Sequence, residues 1–183
     1  MSLIPSGSQT VGPFFNFALT TDRALGTLAR DGVQGERIRL EFRVTDGDGA
    51  PTPGDSMIEL WQADAGGVYD GGDPNFCGFG RLETGLDGIC GFDTIKPGRV
   101  AGVDGRLQAP HINVIFFARG LLKHLHTRVY FADDPANAED AVLALVPEAR
   151  RATLLAQRDA ERLNTWRMEL RLQGEGETVF FDV

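Results

Sequence analysis

Residues 37–44 read Arg-Ile-Arg-Leu-Glu-Phe-Arg-Val. Apolar side chains fall on Ile38, Leu40, Phe42 and Val44, and charged ones on Arg37, Arg39, Glu41 and Arg43. A period of two sends the first set to one face of a β-strand and the second to the other. Such a strand buries one face and leaves the other in water. Asp46-Gly47-Asp48-Gly49 follows, residues that tolerate the positive φ of tight turns. The same texture recurs along the chain. Met57–Ala63 (MIELWQA) predicts a second strand, ended by Gly66-Gly67, and residues 70–80 read as loop. Ile89–Ile95 lies between Asp87-Gly88 and Lys96-Pro97-Gly98. His111–Ala118 (HINVIFFA) and Leu125–Ala132 (LHTRVYFA) flank a short connection through Arg119-Gly120, which predicts a hairpin. Ala138–Val146 and Pro147–Arg162 are rich in helix formers, with Pro147 suited to a helix start. Alternation returns at Trp166–Leu172, and GEGETVFFDV predicts a final strand after a Gly-rich turn. The order predicts a mainly β fold, a β-sandwich with a helical insertion near residues 138–162.

The chain of 183 residues suits a single domain over residues 1–183. Its first residues, about 1–17, carry Pro5, Gly7, Gly12 and Pro13 and predict an extended, irregular arm rather than a helix. The arm ends in Phe14-Phe15-Asn16-Phe17, which must bury against the core or another chain. Thr21–Arg30 predicts a short helix. With 18 Lys+Arg against 26 Asp+Glu, the net charge is −8. That balance argues against a nucleic-acid partner. A 42% hydrophobic fraction is too high for a disordered chain. The 23 glycines are about twice the ~7% usual share, as many tight turns require. No apolar run approaches the ~18 residues of a membrane span. MSLIPSGSQT shows no signal-peptide pattern. Cys77 and Cys90 read as reduced thiols in or near the core. A cytoplasmic location is expected.

Three features could carry chemistry. His124 and His126 stand at i and i+2, so a strand would turn both imidazoles to one side, toward a metal or simply a surface. His111 and Asn113 share a face in the same way, but a neutral amide oxygen is a poor transition-metal ligand, and a hydrogen-bonded structural pair is the other reading. Tyr69 follows Gly66-Gly67; a phenol ligates well only as phenolate, on a strong Lewis acid, and otherwise packs on the sheet. No phosphate loop and no nucleophile turn is present. The residues by themselves describe a β-sandwich without a complete active site.

The motifs also resemble a known family. Ser8-Gln9-Thr10-Val11-Gly12-Pro13-Phe14 is similar to the N-terminal arm of the intradiol ring-cleaving dioxygenases. Glu59-Leu60-Trp61-Gln62-Ala63, with Gly67 and Tyr69, resembles their ExWQAxxxGxY segment. Asp87-Gly88 through Thr94-Ile95-Lys96-Pro97-Gly98, then Pro110-His111-Ile112-Asn113, then Leu125–Phe131, follow in the family's order, and residues 173–182 resemble the end of the family's iron-free chains. The resemblance, from about residue 8 onward, implies a β-sandwich. It also implies oxygen-dependent opening of a catechol ring on a non-haem Fe(III) held by two Tyr and two His. Two-chain members of the family convert protocatechuate and O₂ to 3-carboxy-cis,cis-muconate. Carried over, the ligand positions are Tyr69, Val100, His111 and Asn113, and the family's arginine before the histidines falls at Gln108 or a neighbour. Val100 has no donor and Asn113 is no imidazole, so no metal is expected here. The resemblance therefore implies an iron-free chain whose homologous beta chain holds the Fe(III). The matching substrate-pocket positions are Thr10, Gly12, Pro13 and Arg119. Arg119 suits a carboxylate substrate because its charged planar fork matches that anion. Two alternatives stand beside this reading. One is a self-sufficient metal dioxygenase built on Tyr69, His111, His124 and His126; the other is a non-catalytic β-sandwich binding module.

Overall fold

Strand β1 (Arg37–Thr45) buries Ile38, Leu40, Phe42 and Val44 and turns its charged residues outward, as its alternation requires. The computed structural model describes residues 7–52, 56–103 and 105–183, without the side chains of Pro13 and Asn16. Residues 1–6 of the expected arm, Pro5 among them, lie outside the described residues. The other strands are β2 (Ser56–Trp61), β3 (Phe79–Glu83), β4 (Ile89–Ile95), β5 (His111–Ala118), β6 (Leu125–Phe131), β7 (Leu155–Arg158) and β8 (Thr165–Arg171). They lie in the order β3-β2-β5-β6-β7-β8-β1-β4. Strand β7 pairs with β6 at one end and with β8 at the other, so the layers β3-β2-β5-β6 and β8-β1-β4 join through it. Their facing sides meet in one core: Leu40 and Phe42 from β1, Ile58 and Leu60 from β2, Val114 and Phe116 from β5, and Trp166 from β8. Phe42 and Phe92 meet edge to face at 6.0 Å, a favoured aromatic geometry.

The β5–β6 hairpin forms as predicted, with His111 opposite Tyr130 and Ile115 opposite His126. Several expectations need correction. The arm is not wholly extended: Pro13–Leu19 forms a helix, α1, whose first turn closes with Phe15 N donating to Gly12 O. Pro13 at the first helical position supplies the preset φ that a helix start needs. Only Arg23–Gly26 of the expected Thr21–Arg30 helix is helical, as one 3₁₀ turn capped by Asp22. The helical insertion is broken into a 3₁₀ turn (Pro135–Glu139), α2 (Ala141–Leu145), α3 (Glu148–Arg151) and a second 3₁₀ turn (Ala152–Leu154). It stops before 162 because Leu155–Arg158 fills the gap between β6 and β8, where ladder bonds outweigh helix propensity. Strand β3 falls partly within the expected 70–80 loop and extends beyond it. The C-terminal segment is no full strand; it makes one bridge, Phe181 to His126. Cys90 is buried, and burial pushes its thiol up to about 12. Cys77 is exposed, against expectation. Among the described residues no helix is long and apolar enough to cross a membrane.

Candidate functional site

The loops carrying Tyr69 and Val100 are tied to each other by the backbone. Asp64 Oδ1 accepts from Gly66 N (2.8 Å) and Val68 N (3.0 Å), and Gly98 N donates to Asp64 O at 2.9 Å. Gly67 sits at φ 79°, and a Cβ there would overlap the carbonyl of Arg99. The GG and PG dipeptides are thus needed at one junction. Gln62, fully buried, donates to Ile95 O (3.0 Å) and accepts from Thr94 Oγ1 (2.7 Å), clamping the ends of β2 and β4 beside that junction. Tyr69 stacks on Trp61 at 5.7 Å, and its hydroxyl accepts from Asn113 Nδ2 at 3.0 Å.

His111, 1% exposed, packs on the Tyr130 ring at 5.9 Å. Its Nδ1 is 2.8 Å from Ala109 O. Burial, then the nearby Arg128 guanidinium, hold its pKa down at about 4, so it is neutral at pH 7. Asp140 organises this corner. Its Oδ1 caps α2 through Val142 N (2.9 Å) and Leu143 N (2.7 Å) and receives Tyr130 Oη–H (3.2 Å), while Oδ2 accepts from Ala109 N (2.7 Å). Arg128 Nη1 donates to Gln108 Oε1 at 2.7 Å and stands 3.4 Å from Tyr130 Oη. Gln108 N in turn donates to Val100 O at 2.8 Å. Tyr69, Val100, His111 and Asn113 are therefore gathered at one corner, each one or two bonded or paired steps from Arg128. The donors there do not suit a ferric ion. Asn113 is committed to Tyr69, Val100 offers only a backbone carbonyl already in use, and a guanidinium adds positive charge. Among the described residues no three His, Cys, Asp or Glu side chains are placed to share a metal ion.

His124 and His126 do not join this corner. Their rings lie 4.7 Å apart, but His126 pairs with Ile115, four residues along β5 from His111. At ~3.3 Å per residue that is about 13 Å. The four-residue metal set Tyr69, His111, His124 and His126 is not assembled by the fold.

The arm and Arg119 meet at the other end of β5. Gly120 N donates to Thr10 Oγ1 at 2.7 Å, joining the arm to the hairpin turn. Phe15 packs on Phe117 at 6.3 Å, and Phe117 on His124 at 5.2 Å. Gln9 and Val11 help line a cavity of about 150 Å³ with Phe117, Leu122 and His124. Arg119, exposed at its turn, lines a cavity of about 310 Å³ with Asp46, Thr52 and Gln173. Thr10, Gly12 and Arg119 are thus brought to one end of the molecule; of Pro13 only the backbone, at the start of α1, is described. Phe14 and Phe17 are 83% and 74% exposed there. Sequence reasoning missed Asp140, Arg128 and Gln62. Asp140 carried a signal, an Asp directly before the apolar run Ala-Val-Leu.

Residues 10–174 match the sequence model of a family described as Dioxygenase. The chain belongs to the intradiol ring-cleaving dioxygenases. Members of that family work with a non-haem ferric ion. The chain is 44% identical to the protocatechuate 3,4-dioxygenase alpha chain of Burkholderia cepacia, covering 96% of each. It is 42% identical to the alpha chain of Pseudomonas putida, over 100% of this chain and 98% of that one. It is 34% identical to the Burkholderia cepacia beta chain, over 82% of this chain and 66% of that one. Among solved structures, the dioxygenase domain of a carbohydrate-binding fusion from Streptomyces sp. SirexAA-E superposes with a TM-score of 0.66 at 28% identity, covering 93% of this chain and 99% of that one.

Proposed function

We propose that this chain is the iron-free alpha subunit of a protocatechuate 3,4-dioxygenase. In this reading the homologous beta chain holds the Fe(III), and protocatechuate and O₂ become 3-carboxy-cis,cis-muconate in the paired complex. One observation carries the reading. The residues at the family's pocket positions, Thr10, Gly12 and Arg119 with the backbone of Pro13, gather at the end of β5 remote from the corner that holds the family's ligand positions. From Asn113 to Ala118 is five residues, about 17 Å along the strand, beyond the reach of an arginine side chain. Arg119 in that position cannot serve a substrate in its own chain's corner, but it can serve one in a neighbour's. The exposed Phe14 and Phe17 on α1 supply an apolar surface for the neighbour to cover. On the substrate, the Arg119 guanidinium pairs with the ring carboxylate and orients the diol away from it. The arm backbone at Gly12 leaves room for a flat ring. A cytoplasmic place for the complex is part of this proposal.

Metal analysis tests the reading. The chain co-purified with its beta partner should carry one ferric ion per pair and a visible ferric-tyrosinate colour, and the chain alone neither. Bound iron and colour in the pure single chain would overturn it.

A further inference from the structure

One group that the resemblance did not assign lies within two bonded or paired steps of all four family ligand positions. Arg128 is the cross-strand partner of Asn113 on β6, and its Nη1 bonds Gln108 Oε1 at 2.7 Å. Through Gln108 it reaches the Val100 backbone, and through Tyr130 it reaches Asp140, a buried carboxylate. His111 packs on the same Tyr130 ring at 5.9 Å.

A pocket evolved around a cation needs a positive charge to balance its acceptors. Buried carboxylates are stable when paired or fully hydrogen-bonded. Asp140 accepts four hydrogen bonds from neutral donors, and one of these, the Tyr130 hydroxyl, stands 3.4 Å from Arg128 Nη1, which places that guanidinium one hydroxyl away from the carboxylate. The Gln108 amide oxygen, at 2.7 Å, and the Tyr130 hydroxyl oxygen, at 3.4 Å, both face the Arg128 Nη1. A guanidinium already in place also opposes the entry of a highly charged metal ion through direct repulsion.

We propose that Arg128 is the resident cation of the degenerate corner. It balances Asp140 and the acceptor groups in place of a metal, and it keeps the corner metal-free even where the missing ligands are supplied. This rests on the family reading only for which four positions are compared.

Two experiments test it. In the complex with the beta chain, the double variant Val100→Tyr/Asn113→His supplies both missing ligand types. After incubation with ferric citrate it should stay at the iron content of the unaltered complex. Adding Arg128→Gln should bring a second ferric ion per pair and a stronger visible band. A double variant that loads iron as fully as the triple overturns the proposal, as does a folded triple variant that gains none. Where these variants fail to fold, a double-mutant cycle on the otherwise unaltered full chain decides. Arg128→Gln should shift the unfolding equilibrium at least tenfold less in an Asp140→Asn background than in the unaltered chain, and Arg128→Lys should restore most of the loss. Additive effects, or a lysine no better than glutamine, overturn it. The cycle needs no beta chain, so its outcome is independent of whether the alpha-subunit reading holds.

Discussion

At one end of β5, His111 is buried, Asn113 is bonded to Tyr69, and Arg128 bonds Gln108. At the other end, Arg119 is exposed at its turn, and Phe14 and Phe17 of α1 stand open beside it. Both ends carry residues from the same family motifs. They differ in where the polar and apolar groups find partners. The first end satisfies its donors and acceptors internally and has little left to offer a ligand. The second end holds its backbone together through Thr10 and Gly120 but presents charge and apolar surface outward. The two ends lie about 17 Å apart, the length of five residues along the strand.

Disrupting the closed end should cost most in stability. Asp140→Ala removes an α2 cap and leaves Ala109 N and Tyr130 Oη without their acceptor; we expect a loss of about 3–4 kcal/mol in urea unfolding. A loss below ~1 kcal/mol would show that the corner is not held from Asp140. Acid should act on the same end. His111 is neutral in the folded chain with its pKa at about 4, below the ordinary 6.5. The unfolded chain then binds the extra proton first, so this contribution is complete above pH 6.5 and is lost as pH falls toward 4. The stake is about 3 kcal/mol. Unfolding measured between pH 4 and 7 should show a shallower acid limb for His111→Gln than for the unaltered chain.

The open end should answer in activity rather than stability. Arg119→Ala in the complex should lower kcat/KM for protocatechuate by about 30-fold, or ~2 kcal/mol, the scale of a charge-assisted hydrogen bond to a carboxylate. Unfolding should be nearly unchanged, and Arg119→Lys should recover part of the activity. Equal kinetics in the alanine variant would remove Arg119 from the pocket. The smallest effect is expected from Tyr69→Phe. It deletes one half-exposed hydrogen bond to Asn113, worth about 0.5–1 kcal/mol, and should leave turnover in the complex as it was. A large fall in turnover would mean that the two ends are coupled.

The strands β1, β4, β5 and β6 were legible because their alternation comes from burial of one face, which is a local property. Strand β7 was not, since Leu-Ala-Gln-Arg has helical propensity and becomes a strand only between β6 and β8. Helix α1 was hidden by the glycines and prolines around it. At the site, the departures at Val100 and Asn113 could be read from residue types alone, because ligating ability belongs to the side chain. The bond from Arg128 to Gln108 could not, since it spans 20 residues; Asp140 was legible as a helix cap but not as the acceptor of Ala109 N, 31 residues away.

The sequence by itself determined the β-rich texture, the family to which the motifs point, and the residue types at Tyr69, Val100, His111 and Asn113. Those depend on side-chain chemistry and on periods shorter than one strand. Tertiary structure alone decided that Thr10 meets Gly120 across 110 residues, that His124 and His126 lie apart from His111, and that a guanidinium sits among the degenerate ligand positions. Strand register sets these distances, and register is fixed by packing across the whole sandwich rather than by any one segment.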